Sequence, residues 1–313
     1  MSSPEESKPG RGCLRWAGGL LVLLAFVLAT YRVAVESGVA GYEKRAKRDP
    51  ETKVMLGYEP IIFHPERRDR AVLLVHGFIG SPQNYNTLPQ AIADAGWRVE
   101  AMLLPGCGTT PHDHEAAKFP AIIAGVEDRL KALQAECETV VIVGHSQGGA
   151  LATLAAASCQ PQALIAVAPF YGLGSSRAVD GMIETVARAT SPVLRWLPGT
   201  RKPPINLAAN YDKILDYGWV STKAAISAME TCNAVYDREV WKQITMPTMV
   251  IHSRNDKVTN SAATEALFPR FASTEKEIHW LEKSNHVYFW DYDEDEVNRL
   301  VLEFLKKREG KAE

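Results

Sequence analysis

The sequence predicts an α/β domain: a mostly parallel, doubly wound sheet with helices on both faces, an inserted helical cap and one hydrophobic helix at the N-terminus. Three observations predict it. Runs of successive apolar, often β-branched residues alternate with helix-like segments, a long amphipathic interval breaks the alternation after residue 170, and an uncharged apolar stretch precedes the first run.

The strand candidates are "AVLLVHG" (71–77), "RVEAMLL" (98–104), "TVVIVGH" (139–145), "ALIAVAP" (163–169), "PTMVIHS" (247–253) and "KEIHWLE" (276–282). Most of the first five are apolar at consecutive positions, as strands covered on both faces require. Helices are expected near 84–95, 115–136, 147–159, 260–268 and 293–308, between and after these strands. That order implies right-handed crossovers in a doubly wound sheet.

One connection does not fit the rhythm. Between Phe170 and the strand near Thr248 lie about 75 residues, where ~2–6 is usual for such a link. The stretch from Val179 to Val220 is amphipathic, aromatic and punctuated by proline. It predicts a cap insertion at about 171–245 that forms part of a substrate site while its apolar residues pack over the sheet. Trp196 and Trp219 are its expected contacts with an apolar substrate chain.

The N-terminal stretch "WAGGLLVLLAFVLATY" (16–31) follows a polar start bearing Lys8, Arg11 and Arg15. About 16 helical residues span roughly 24 Å, somewhat short of the ~30 Å hydrocarbon core, while Trp16 and Tyr31 suit the two interfaces. Two readings stand: a single-pass membrane anchor, or an export signal cleaved after small residues such as Val27 and Ala29. Basic residues lie on both sides of the segment, so the side of the membrane is not specified. The expected division is residues 1–37 as anchor or signal, 38–54 as linker and 55–313 as the α/β domain.

Composition narrows the function classes. With 313 residues, 46% of them hydrophobic, one large core is affordable. The formal net charge of −2, without long single-sign blocks, argues against a nucleic-acid partner. The five cysteines are scattered and odd in number, so they predict free thiols rather than a disulfide framework or a zinc site. No metal or organic cofactor is expected.

"VVIVGHSQGGA" carries Gly144-His145-Ser146-Gln147-Gly148, a GxSxG at a strand-to-helix junction. A serine on so sharp a turn is held clear of the sheet, and the glycines stand where a Cβ would collide with strand or helix. A hydroxyl is a weak nucleophile near neutral pH and requires a base and a group that orients the base. "VIHSRNDKV" places Asp256 just past one strand and "SNHV" places His286 just past the last. Both then share the carboxyl edge of the sheet with Ser146, where open α/β sheets bind ligands. Asp291, Asp293 and Asp295 lie near the same edge and are alternative acids. For the oxygen that becomes anionic in acyl transfer, the expected donors are the backbone N–H groups of Phe78, in "HGFIGSP", and Gln147. His76 and His145 are expected to position loops.

These residues resemble the α/β-hydrolase fold, and within it the esterase, monoacylglycerol lipase and lysophospholipase-like group known as serine aminopeptidase S33-like. The resemblance covers about residues 55–308 and rests on "HGFIGSP", "GHSQGG", "RNDKV" and "SNHV" in order. It implies a triad of Ser146, Asp256 and His286, oxyanion donors at Phe78 and Gln147, and a cap shaping an apolar acyl pocket. "LLPGCGTTPHD" departs from the group's PGHG loop, Cys107 standing in place of histidine. The implied reaction is hydrolysis of small-molecule or lipid esters of apolar acyl groups through an acyl-enzyme. Acyl transfer, thioester or amide cleavage by the same residues, and a silent binding scaffold, are the alternatives. "PHDHE" (111–115) lacks the helical i, i+4 histidine pair of a metal site and reads as a loop at the substrate mouth.

Overall fold

The computed structural model describes residues 11–199, 202–215 and 217–309. Lys8 and positions 200, 201 and 216 of the expected cap lie outside the described residues, as do the side chains of Arg11, Cys13 and Arg15. The chain divides after Arg45 into two compact units.

The first unit is one helix, α1 (Arg11–Arg45). Its segment Val22–Arg45, which contains an 18-residue window of mean hydropathy 1.6, is long and apolar enough to cross a membrane. Residues 38–45, expected in the linker, continue this helix. An isolated glycine costs a helix only about 1 kcal/mol, and no proline follows Gly38 and Gly41 until Pro50.

The second unit is built on a sheet of seven strands. They are β1 (Ile61–Phe63), β2 (Arg70–Val75), β3 (Arg98–Met102), β4 (Thr139–His145), β5 (Ala163–Val167), β8 (Thr248–Ser253) and β9 (Lys276–Leu281). Their spatial order is β1-β3-β2-β4-β5-β8-β9. All pairs are parallel except β1 with β3. Six strands coincide with the expected runs; β1 was not expected, since three residues are too few to show a period.

Alternation within each strand sends apolar side chains to both faces. Leu73, Val75, Val140 and Ile142 join the layer of α4 (Phe119–Glu136) and α5 (Gln147–Cys159). Val72, Leu74, Val141 and Val143 join that of α2 (Leu88–Asp94) and α9 (Glu294–Lys306). The helix expected from 115 is instead two, α3 (Pro111–Ala116) and α4, separated at Ala117 and Lys118 by extended backbone. Pro120 accounts for the break: lacking an N–H, it is suited to the first turn of a helix and not to its interior.

The insertion between β5 and β8 holds α6 (Arg177–Thr190), the short antiparallel pair β6 (Trp196–Pro198) and β7 (Trp219–Ser221), and α7 (Thr222–Asp237). It is not a uniform lid. Met229, Cys232 and Val235 of α7 enter the main core beside α5, whereas the only fully buried residue of α6 is Asp180. The α-helix between β8 and β9 is α8 (Ser261–Leu267).

Because β2 pairs with β3 on one side and β4 on the other, the chain reverses its direction of winding there. The crevice beyond the carboxyl ends of β2 and β4 is therefore the expected ligand position.

Candidate active site

Ser146 occupies that crevice, between the last residue of β4 and the first of α5, with φ 58° and ψ −121°. This is a strained conformation for a side chain other than glycine. Close packing enforces it: a Cβ on Gly148 would collide with the carbonyl oxygens of Val75 and His76, and one on Gly144 with the carbonyl of Gly148. The Ser146 N–H donates to Val167 O at 2.9 Å, and its carbonyl accepts from Gly149 and Phe170. The hydroxyl is thus presented at the N-terminus of α5, the positive end of the helix dipole.

His286 and Asp256 arrive from the loops after β9 and β8. His286 Nε2 lies 2.8 Å from Ser146 Oγ, and its Nδ1 lies 2.8 Å from Asp256 Oδ2. Asp256 is further bonded by the backbone N–H groups of Val258 and Thr259 at 2.8 and 2.9 Å, by Thr259 Oγ1 at 2.9 Å and by Tyr288 OH at 3.2 Å. Burial opposes its ionisation. The facing His286 and the hydrogen bonds from His252, His286 and Thr259 outweigh burial and hold the carboxyl far below the usual carboxylate range. With Asp256 ionised, the His286 proton sits on Nδ1 and Nε2 is left to accept from the serine hydroxyl.

Two of the other acids near this edge are engaged elsewhere, and the third lies in a helix. Asp291 accepts from the backbone of Asn206, Leu207 and Asn285. Asp293 accepts from that of Lys283 and Ser284, and Asp295 sits in the first turn of α9. Pro204 O also accepts from His286 N–H at 2.9 Å. The histidine loop is thus tied directly to the cap segment.

Phe78 and Gln147 flank the serine, and among the described residues neither uses its backbone N–H in an internal hydrogen bond. The Phe78 loop is shaped by His76, which donates from Nδ1 to Gly77 O at 2.9 Å and accepts at Nε2 from Leu104 N–H at 3.0 Å. Burial lowers the His76 pKa to about 4. His145 donates from Nε2 to the His286 carbonyl at 3.0 Å, and burial lowers its pKa to about 3. Both rings therefore act as neutral struts.

Above Ser146 and His286 opens a cavity of about 300 Å³. Its apolar wall includes Ile79, Pro203, Ile214, Leu215, Val258 and Val287, with Asn84 and Lys202 as further polar groups. Trp196 and Trp219 are not on this wall. Trp196 is buried between the ring of His112, 4.9 Å away, and the Arg195 guanidinium, and Trp219 pairs within the β6–β7 ribbon. The cap supplies the wall from residues 202–215 instead. Pattern reading favoured the largest aromatic side chains and overlooked Ile214 and Leu215, whose spacing carries no signal. Cys107 is buried in the main core, which raises its thiol pKa to about 12. It is not a nucleophile at neutral pH.

Residues 66–293 match the family described as serine aminopeptidase, S33. The chain is 32% identical over 264 residues to a thermostable monoacylglycerol lipase of Bacillus sp. (strain H-257), covering 82% of this chain and 98% of that protein. It is 23% identical to a carboxylesterase of Bacillus subtilis (strain 168), over 76% of this chain and 93% of the relative. Among solved structures, one from work on the metagenome-derived lipolytic enzymes LipS and LipT superposes with a TM-score of 0.71 at 26% identity. That match covers 81% of this chain and 99% of the other.

Proposed function

Since the chain belongs to the serine aminopeptidase, S33 family and is a serine ester hydrolase of the α/β-hydrolase fold, we propose that it cleaves monoesters of apolar acyl groups with Ser146 as nucleophile, His286 as base and Asp256 as the acid that orients it. One observation carries the reading: the hydrogen-bonded series from Asp256 through His286 to Ser146 ends at the floor of a largely apolar cavity.

In this scheme His286 Nε2 takes the hydroxyl proton as Ser146 Oγ attacks the acyl carbonyl, and Asp256 stabilises the imidazolium that forms. The N–H groups of Phe78 and Gln147 receive the developing oxyanion, aided by the dipole of α5. Collapse of the tetrahedral species expels the alcohol, which takes the proton from His286. Water then attacks the acyl-enzyme, giving its proton to His286. The acid leaves as Ser146 regains a proton. A cavity of about 300 Å³ is at the small end of the ~300–1,000 Å³ range of ligand pockets, which favours a single acyl chain of medium length. We place the enzyme at a membrane through α1 as a single-pass anchor, next to a substrate that partitions into lipid.

Turnover of p-nitrophenyl esters and monoacylglycerols of increasing chain length tests the substrate class. Ser146→Ala should abolish turnover and labelling by a fluorophosphonate while the protein stays folded. Full activity of that variant would reject the mechanism, and cleavage of peptides alone would reject the ester assignment. Resistance to carbonate extraction with residue 1 retained tests the anchor; a new N-terminus near Thr30 would show a cleaved signal.

A further inference from the structure

Three side chains of α3, a helix with no part in the scheme above, reach the cap. His112 meets Trp196 edge-on. Glu115 binds Arg195 Nε at 3.0 Å and accepts from Ser221 Oγ at 3.0 Å. His114 touches two structures at once. Its ring stacks on Tyr217 of the cap, centroids 5.4 Å apart and planes 21° from parallel. It also meets Phe78 of the oxyanion loop, centroids 5.2 Å apart. Tyr217 is itself buried and accepts a hydrogen bond from Gly108 N–H. It lies two residues beyond Leu215 of the cavity wall.

We infer that His114 is a positioning residue: the ring contacts Tyr217–His114–Phe78, the first stacked and the second tilted by 43°, couple the seating of the cap to the oxyanion loop, so that the Phe78 N–H is held in its working place only while Tyr217 is home. This rests on the reading of Phe78 N–H as an oxyanion donor. The loop needs an external support because Gly77 and Gly80 lend it little stiffness of their own. Within it, Gly80 N–H reaches Gly77 O at 3.2 Å. Donors to an oxyanion act by preorganisation, and a misplacement of ~1 Å costs about 100-fold in rate. Burial lowers the His114 pKa to about 4, so near neutral pH it serves as a flat uncharged ring, a role phenylalanine can fill.

Three variants of the full chain test this: His114→Leu, which keeps bulk without a ring; His114→Phe, which keeps the ring; and Tyr217→Leu, which removes the cap's half of the stack. Each is assayed with p-nitrophenyl butyrate and with a trifluoromethyl ketone bearing the same acyl chain. The ketone's adduct with Ser146 places an oxyanion where the transition state has one. Both leucine variants should lose kcat and ketone affinity by the same factor, about 10- to 100-fold, with KM within ~2-fold of the parent. Their double variant should lose no more than either alone. His114→Phe should stay within ~3-fold of the parent. Unchanged ketone affinity in the leucine variants overturns the inference, and so does a phenylalanine variant as impaired as the leucine one. Should His114→Leu not fold, Tyr217→Leu decides alone. Fluorophosphonate labelling of the parent separates the two layers. An unlabelled parent sinks the proposed function; a labelled parent with normal ketone binding in the variants sinks only the coupling.

Discussion

Gly148 has no room for a side chain, because any Cβ meets the backbone oxygens that end β2. Gly148→Ala should therefore destabilise the domain by at least ~2 kcal/mol and remove ester turnover, read by thermal melting and by assay; an active variant of parental stability would show that the elbow can relax. Asp256 teaches a different lesson. Its carboxylate accepts from two backbone N–H groups as well as from His286, so Asp256→Asn would keep the shape of the loop while favouring the wrong imidazole tautomer. A loss of about four orders of magnitude in kcat, with folding retained, is expected, and a loss below tenfold would remove Asp256 from the scheme. At this scale the sequence was informative, since GxSxG and the two loop residues each sit at a strand end that periodicity reveals. Tyr288 and Thr259, which complete the bonding of Asp256, were not legible: nothing in "NHVYFW" or "DKVT" says which way a side chain turns.

At the scale of elements, the seven-stranded sheet followed the apolar runs, and its surprises came where pattern is weakest. β1 is too short to show a period. The insertion, a single amphipathic stretch in the sequence, divides in space into a helix that joins the core and a lid that does not. Its attachment through Glu115 and Arg195 joins segments 80 residues apart, which no local rule anticipates. Burial raises the Glu115 pKa, but the Arg195 and Ser221 hydrogen bonds prevail and leave it below the usual range. Glu115→Ala strands a partly buried guanidinium, and a loss of about 1–3 kcal/mol is expected. A double-mutant cycle with Arg195→Ala should give a coupling above ~0.5 kcal/mol; a smaller value would make the pair incidental to the lid.

For the whole molecule, three buried histidines set the acid limit. His76 and His114, with pKa values near 4, and His145, near 3, stay neutral when folded, while the unfolded chain protonates them near ~6.5. The unfolded state thus binds more protons between those values. Stability is complete above about pH 6.5 and falls as the pH drops toward 4. Asp256, its carboxyl depressed in the fold, adds its own loss only below the unfolded carboxylate value of about 4. Melting temperatures at pH 7, 5.5 and 4.5 should trace the decline, and His114→Phe should make it shallower; a flat profile from 7 to 4.5 would refute it. The division after Arg45 further predicts that a chain starting at Ala46 folds and hydrolyses short-chain esters; under the proposed anchoring through α1, the full chain should sediment with membranes and the shortened one should not.

By itself the sequence determined the class of fold, the sharp turn at Ser146 and the strand ends at which Asp256 and His286 stand, because the strands are written in runs of apolar residues and the turn in glycines at fixed offsets. Only the tertiary structure decided which aspartate faces the imidazole, which cap residues line the cavity and what supports the Phe78 loop. Those choices depend on distances between segments far apart in the chain. Such distances follow from the packing of the core and cap as a whole, and no short window of residues contains them.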